Sequence, residues 1–173
     1  MVKIKLTDHN FPIYENVFSL PERWLMKRQL HKECVKLPDP NVVGLQSPSN
    51  LHGIVAQKKY FNFYKKIFKC INPENQLQLE IVKSWINHQD KTTPQNWHRH
   101  TYCAMTCVYF LTNPEGLGTI YQFDTPEGRV RFSCEMKENS LLCLPGHVLH
   151  SAPAVKKERY SVAIDLNALP RFR

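Results

Sequence analysis

Apolar and polar positions divide the chain into two regions of different pattern. Residues 1–70 carry apolar side chains three or four positions apart, which is the periodicity of a helix. From residue 77 onward the apolar residues form short runs typical of strands, and turn sequences rich in Pro, Gly, Asn and Ser separate them. The pattern predicts a mainly β protein with an N-terminal helical region.

Six short runs carry the strand prediction: LQLEIVKSWI, TCVYFL, GTIYQF, RVRFSC, SLLCLPG and RYSVAIDL. Strands of this length, joined by turns such as NPEGLG and DTPEG, are typical of an antiparallel sandwich or jelly roll. We therefore expect one domain, 1–173, in which residues 77–173 form a double-stranded β-helix (jelly-roll) core. Residues 1–76 are expected to form a helical layer that supports it.

Two helices are expected in this N-terminal layer. The first begins near Ser19, which suits the N-cap, with Pro21 in the first turn. We expect its apolar residues to share one buried face: Trp24, Leu25, Leu30 and Val35. Residues 38–53 follow, and their Pro, Asn, Ser and Gly residues predict an ordered surface loop.

The second helix covers the most basic segment, QKKYFNFYKKIFK at 57–69. Aromatic residues between lysine pairs are compatible with a nucleic-acid surface, but the spacing favours an amphipathic helix. Its expected buried stripe consists of Tyr60, Phe61, Tyr64, Ile67 and Phe68.

Composition narrows the class of protein. Apolar residues make up 42% and charged residues 22%, as in ordinary soluble domains, and no apolar run is long enough to span a membrane. The N-terminal segment lacks the apolar core of a secretory signal, so we expect a cytoplasmic protein. The six cysteines show no CxxC pair and are expected to be reduced thiols.

The net charge of +8 arises from 23 basic and 15 acidic residues. Such a charge could attract nucleic acid or another acidic partner, although it also serves solubility. Charge alone therefore leaves the partner open.

Four histidines and an aspartate precede an apolar run in NHQDKTTPQNWHRHTYCAMTCVYFLT, residues 87–112. Two pairs compete as metal ligands: His98 with His100, and His88 with Asp90. Side chains two apart on a strand share a face, so either pair could reach one metal ion. We favour His98 and His100, because a core strand follows them closely, whereas His88 and Asp90 are expected in a loop.

The C-terminal part supplies the complementary groups. His150 is the expected third metal ligand, and Arg159 follows it by nine residues, with Ser161 two positions later on the same face. An arginine inside a barrel needs an anion, and its planar fork suits a carboxylate. The arrangement describes a dicarboxylate held by arginine and serine at one end and chelating a metal at the other. His147 is expected at the surface.

These motifs, in the order WHRH, TCVYFL, IYQFDTP, NSLLCLPGHVLHSAP and RYSVAIDLN, resemble the Fe(II)/2-oxoglutarate-dependent oxygenases. The similarity is to the prolyl-hydroxylase-like branch and to small oxygenases of phages and bacteria, and it covers roughly residues 80–166. It implies that His98 and His150 bind iron and that Arg159 and Ser161 bind the far carboxylate of 2-oxoglutarate. It also implies dioxygen as co-substrate and hydroxylation of a C–H bond, with a peptide or protein residue as the favoured substrate.

Two positions depart from the family pattern. His100 stands where the family has aspartate or glutamate. Either His100 supplies the third ligand, or a water or a distant acid takes its place, or His88 and Asp90 are the real proximal pair. Phe110 stands where prolyl hydroxylases often have a tyrosine that helps to hold 2-oxoglutarate, which leaves the anion more dependent on Arg159.

Two other functions fit part of the pattern. A cupin-type three-histidine metal dioxygenase would explain His98, His100 and His150, but that motif requires a glutamate shortly after the histidine pair, and Arg159 and Ser161 would have no role. A jelly roll that has lost its carboxylate ligand could instead be a non-catalytic binding protein.

Overall fold

The computed structural model describes residues 2–7, 10–34, 45–56, 58–89 and 94–170. Two α-helices and eleven strands lie within these ranges, with a 3-10 helix at Leu51–Ala56. The helices are α1 (Leu20–His31) and α2 (Lys58–Ile71). The strands are β1 (Lys3–Leu6), β2 (Pro12–Glu15), β3 (Leu45–Gln46), β4 (Leu77–Gln89), β5 (Gln95–His98), β6 (Met105–Thr112), β7 (Leu117–Thr125), β8 (Gly128–Glu135), β9 (Ser140–Pro145), β10 (Leu149–Ala152) and β11 (Arg159–Pro170).

The strands form two antiparallel sheets. The larger has seven strands in the order β1-β2-β9-β6-β11-β4-β3, and the smaller has four in the order β5-β10-β7-β8. From β4 to β11 the chain passes repeatedly from one sheet to the other. Side chains from both sheets line one cavity. The prediction of a mainly β jelly roll is confirmed.

The helices cover the outer face of the large sheet. From α2, Tyr60, Tyr64 and Ile67 are buried in the main hydrophobic cluster, together with side chains of β11. Burial of this stripe confirms that the basic segment is a core helix, in which Lys58, Lys65 and Lys69 are exposed. Two residues of the predicted stripe depart from it: about half of the surface of Phe61 is exposed, and Phe68 is only partly buried.

The first helix begins where the sequence predicted but buries a different face. Ser19 is the N-cap of α1. Trp24 and Leu25 are exposed, so the predicted face was wrong for them, whereas Met26 and Leu30, four residues apart, are buried. Residues four positions apart lie on one face of a helix, so Met26 and Leu30 point to the core together. Trp24 and Leu25 are six and five positions from Leu30 and therefore lie on other faces. Val35 lies outside the described residues.

The N-terminal region is not purely helical. Strand β2 pairs with β9, where Ile13 lies opposite Leu142, and β1 pairs with β2 to form the edge of the large sheet. These four-residue strands are too short for a clear period-two signal. They extend the jelly-roll sheet with residues that precede both helices.

Two further expectations concern thiols and membranes. All six cysteines are free, as expected, and Cys107 and Cys143 are buried opposite each other on β6 and β9. Within the described part of the chain, neither helix has the length and apolar character needed to span a bilayer.

Candidate metal and anion site

A narrow cavity lies between the two sheets. Its wall combines polar groups with the aromatic and aliphatic side chains of Trp85, Val108 and Phe110. Five residues that the sequence selected line it: His98, His100, His150, Arg159 and Ser161. The fold thus brings together residues that are up to 63 positions apart in the chain.

The three histidines converge at one end of this cavity. His98 on β5 and His150 on β10 are direct partners in the small sheet, and their ring centroids are 4.4 Å apart. His100 lies two residues beyond His98, after the end of β5, with its ring centroid 5.0 Å from that of His98 and 5.1 Å from that of His150. One nitrogen of each ring lies within 4.8 Å of the others.

The expectation that His98 and His100 share one strand was therefore wrong, although their side chains do meet. The backbone turn after β5 is held by Gly146: the His100 N–H donates to the Gly146 carbonyl at 2.7 Å. A Cβ on Gly146 would lie 2.4 Å from the Cys103 carbonyl oxygen and 2.6 Å from that of His100. Glycine is needed here because the two backbone segments approach so closely.

Each histidine has its Nδ1 within hydrogen-bond distance of an oxygen acceptor. The partners are the carbonyl oxygen of Asn96 for His98 at 2.7 Å and that of Val148 for His150 at 2.9 Å. For His100 the partner is the carboxylate of Asp165 at 2.7 Å. An oxygen acceptor at Nδ1 favours the tautomer with the proton there, which leaves the Nε2 lone pair for a metal. The donor set therefore fits a metal ion bound by three imidazoles.

Electrostatics favour the neutral, metal-binding form of two of these rings. Burial, reinforced by the neighbouring His98, lowers the pKa of His150 to about 4. Burial also lowers the pKa of His98, although its contact with the Asn96 carbonyl opposes this shift. Neutral imidazole is the form that binds metals, so both side chains are ready ligands near neutral pH.

Arg159 lies at the other end of the cavity and is only 1% exposed. Its Nε and Nη2 donate to the side-chain oxygen of Gln89 at 2.9 and 2.5 Å, its Nη1 donates to the Leu117 carbonyl, and Nη2 also donates to the Pro153 carbonyl. These acceptors are all neutral. Burial lowers the pKa of Arg159 to about 10, opposed by Glu115, so the guanidinium remains charged at neutral pH.

Ser161 and Phe110 stand beside this arginine. Ser161 is buried, lies on the same face of β11 as Arg159, and pairs with Phe110 on β6. Both side chains line the cavity. Phe110 brings no hydroxyl, and the polar donors near this end include those of Arg159, Ser161 and Gln89.

Two residues of the site were missed by sequence reasoning. Gln89 is the direct partner of Arg159 across β4 and β11, and Asp165 is fully buried behind His100. Asp165 also accepts hydrogen bonds from Thr106 at 2.6 Å and Tyr102 at 2.5 Å. Burial raises the pKa of its carboxyl, but the hydrogen bonds from His100, Thr106 and Tyr102 outweigh that effect and lower it.

A second group of possible ligands consists of His100, Cys103 and Asp165. In this group His100 and Asp165 already contact each other at 2.7 Å, which is hydrogen-bond geometry. The three histidines are therefore the better candidate for a metal position, and Asp165 is a hydrogen-bond partner of His100.

The position of His88 does not support the competing metal-ligand pair His88 and Asp90. The expectation that His88 lies in a loop was wrong, because β4 continues to Gln89. The His88 ring stacks on Tyr160, with centroids 4.2 Å apart, and lies 5.5 Å from His31 of α1. It therefore points to the helical layer, on the opposite face of the sheet from the cavity. Asp90 lies outside the described residues, and His147 is exposed as predicted.

Comparison with known proteins identifies solved structures with a similar fold. No family model and no curated protein matches the sequence. Among solved structures, the chain is similar to the α-ketoglutarate-dependent epimerase SnoN from nogalamycin biosynthesis, with a TM-score of 0.71 at 13% identity over 94% of this chain and 81% of that one.

Two other solved structures extend the comparison. HygX from Streptomyces hygroscopicus, with nickel and 2-oxoglutarate bound, has a TM-score of 0.67 at 13% identity, with coverage of 97% and 89%. A Trichoplax adhaerens prolyl hydroxylase, in complex with a peptide of hypoxia inducible factor, has a TM-score of 0.60 at 13% identity, with coverage of 91% and 83%. The resemblance to the fold of 2-oxoglutarate and iron oxygenases is thus confirmed.

Proposed function

We propose that the chain binds Fe(II) through His98, His100 and His150, binds 2-oxoglutarate through Arg159 and Ser161, and is a 2-oxoglutarate-dependent dioxygenase. The observation that carries this proposal is that one buried cavity holds three convergent imidazoles and a buried arginine whose hydrogen-bond acceptors are all neutral. A buried cation that is not hydrogen-bonded to a carboxylate is costly, and a carboxylate ligand would compensate it.

The residues have separate tasks in this proposal. The acceptors at Nδ1 fix the three rings, and three protein ligands leave further positions for small molecules. Bound Fe(II) would supply the redox chemistry by which dioxygen and 2-oxoglutarate are used together. Arg159 and Ser161 orient the co-substrate by its far carboxylate, while Trp85, Val108 and Phe110 restrict the access of water.

The finer proposal is hydroxylation of a C–H bond in a peptide or protein residue. The resemblance to prolyl hydroxylases supports it, and the Trichoplax structure holds a peptide. Other neighbours are an epimerase and a carbocyclase, which indicates that this fold supports several oxidative outcomes. The +8 net charge keeps an acidic substrate such as nucleic acid as the second class.

The proposal is tested by anaerobic titration of tag-free, metal-free protein with Fe(II) and then 2-oxoglutarate. We expect a weak visible charge-transfer band, because 2-oxoglutarate chelates the iron through its keto-acid end. His98→Ala and His150→Ala should abolish the band, whereas His147→Ala, which changes an exposed histidine, should retain it.

The outcomes separate the candidate functions. Iron binding without any response to 2-oxoglutarate would favour a cupin-type three-histidine dioxygenase, and no iron binding would favour a non-catalytic binding protein. For the substrate, we expect mixed peptides to accelerate the conversion of 2-oxoglutarate to succinate. Acceleration by oligonucleotides alone would contradict the peptide preference.

A further inference from the structure

The third histidine differs from the other two in what lies behind it. His98 and His150 present Nδ1 to backbone carbonyl oxygens, whereas His100 presents it to the carboxylate of Asp165. Asp165 is 0% exposed and lies on β11, 65 residues from His100. One imidazole of the triad is thus paired with a buried negative charge.

The surroundings hold this carboxylate in place. Thr106 donates to the same oxygen that faces His100, and Tyr102 donates to the other. Trp85 stacks on the His100 ring, with the ring centroids 5.7 Å apart and the planes at 16°. Position and orientation of the His100 ring are therefore determined by side chains from three separate segments.

The charge of the ligand set explains why such a pair is useful. Three neutral imidazoles carry one negative charge fewer than two imidazoles and a carboxylate, and a divalent cation is bound less strongly by the neutral set. A carboxylate that accepts the Nδ1 proton of a ligating histidine raises the basicity of Nε2 and fixes the ring. His100 occupies the position where the family has a carboxylate ligand, and Asp165 is hydrogen-bonded to the Nδ1 of that histidine.

We propose that Asp165 is the positioning residue of the metal site and that the His100–Asp165 pair replaces the missing carboxylate ligand. The inference rests on the proposed function, since it requires a metal at His98, His100 and His150. In this arrangement His100 binds the metal through Nε2. Asp165 contributes the negative charge and favours the tautomer of His100 that carries its proton on Nδ1. Thr106 and Tyr102 keep the Asp165 carboxylate directed at His100.

The first test measures Co(II) affinity, by competition with a chromophoric chelator, for tag-free and metal-free protein. Asp165→Asn keeps the shape of the side chain and removes its charge, and we expect affinity to fall about 10- to 100-fold. The Co(II) absorption bands should also shift, because the donor strength of His100 changes. Asp124→Asn is the matched control: this aspartate is exposed and paired with Arg129, and its loss should leave both readouts unchanged.

A second test asks whether Asp165 acts through the His100 ring. In His100→Asp protein no imidazole remains at this position for Asp165 to orient. Adding Asp165→Asn in that background should therefore change Co(II) affinity much less than in the native background. An equal loss of affinity in both backgrounds would show that Asp165 does not act through His100, and that result would overturn the inference.

The outcomes also separate this inference from the proposed function. Equal Co(II) affinity of native protein and Asp165→Asn would refute the role of Asp165 and leave the metal site intact. Absence of Co(II) and Fe(II) binding by the native protein would refute both. If Asp165→Asn does not fold, Tyr102→Phe removes one hydrogen bond that supports the Asp165 carboxylate, and we expect a several-fold loss of affinity. An unchanged affinity would then count against the inference.

Discussion

The two faces of β11 are both buried, yet they differ in chemistry. All eight residues from 159 to 166 are buried, and they alternate between the helical layer and the cavity. The helix-facing set is Tyr160, Val162, Ile164 and Leu166, and the cavity-facing set is Arg159, Ser161, Ala163 and Asp165.

This difference separates the part of the strand that stabilises the fold from the part that serves binding. The helix-facing side chains are packed by apolar neighbours, which is the main source of folding free energy. The cavity face instead buries a cation and a carboxylate that are hydrogen-bonded, and such groups favour folding weakly or oppose it. Substitutions on the two faces should therefore have opposite signatures in stability and in binding.

The largest effect is expected for Ile164→Ala on the helix-facing side. Removing a fully buried side chain from a packed core should lower the free energy of unfolding by about 2–5 kcal/mol. Chemical denaturation measures this loss, and Leu169→Ala at the exposed end of the same strand is the control, with little change expected. Folded Ile164→Ala protein should retain the native affinity for 2-oxoglutarate; a large loss of affinity would break the distinction between the faces.

The next effect concerns pH and the metal-free site. The pKa of His150 is about 4 in the folded protein against an ordinary value of 6.5, so between these values the unfolded chain binds the proton and the folded protein does not. Stability should therefore fall as the pH decreases from about 6.5 towards 4, by about 3 kcal/mol if this group acts alone. His98, whose pKa is also lowered, acts in the same direction.

Urea denaturation of chelator-treated protein between pH 7 and 4.5 measures this dependence. His150→Gln should flatten the curve, whereas His147→Gln, at an exposed position, should leave its shape unchanged. An equally steep curve in His150→Gln would show that other groups carry the pH dependence. The lowered pKa of Asp165 acts below its ordinary value of 3.8 and so outside this window.

A smaller free-energy effect, opposite in kind to that of Ile164→Ala, is expected for Arg159→Met. Loss of the guanidinium should weaken 2-oxoglutarate binding about 100-fold, because charge-assisted hydrogen bonds to the carboxylate disappear. Stability should be unchanged or higher, since a buried cation that is not hydrogen-bonded to a carboxylate is removed. Calorimetric titration and thermal unfolding measure the two quantities, and Arg129→Met, at an exposed position, controls for net charge. Loss of stability without loss of binding would make Arg159 a structural residue.

The sequence predicted the parts of this comparison that depend on local spacing. Arg159 and Ser161 are two positions apart, so their common face followed from the period of a strand. Gln89 and Asp165 could not be found in this way, because each gains its role from a partner brought close only by sheet register or chain crossing, 65 or more residues away. The prediction of a loop at His88 was wrong because the end of β4 could not be located from local spacing, and the direction of this side chain depends on where the strand ends.

The smallest effect sharpens the comparison most, because the same change is possible on both faces of the sheet. Ser161→Ala removes one neutral donor from the cavity and should weaken 2-oxoglutarate binding by up to about 10-fold, with stability nearly unchanged. Ser84→Ala, on the helix-facing side of β4, removes a hydroxyl that is hydrogen-bonded to Tyr64 and to the Ala163 carbonyl. It leaves the buried Tyr64 hydroxyl without this partner, so it should cost about 1–3 kcal/mol of stability and leave binding unchanged. If both serines affected the same quantity, the division of labour between the two faces would be wrong.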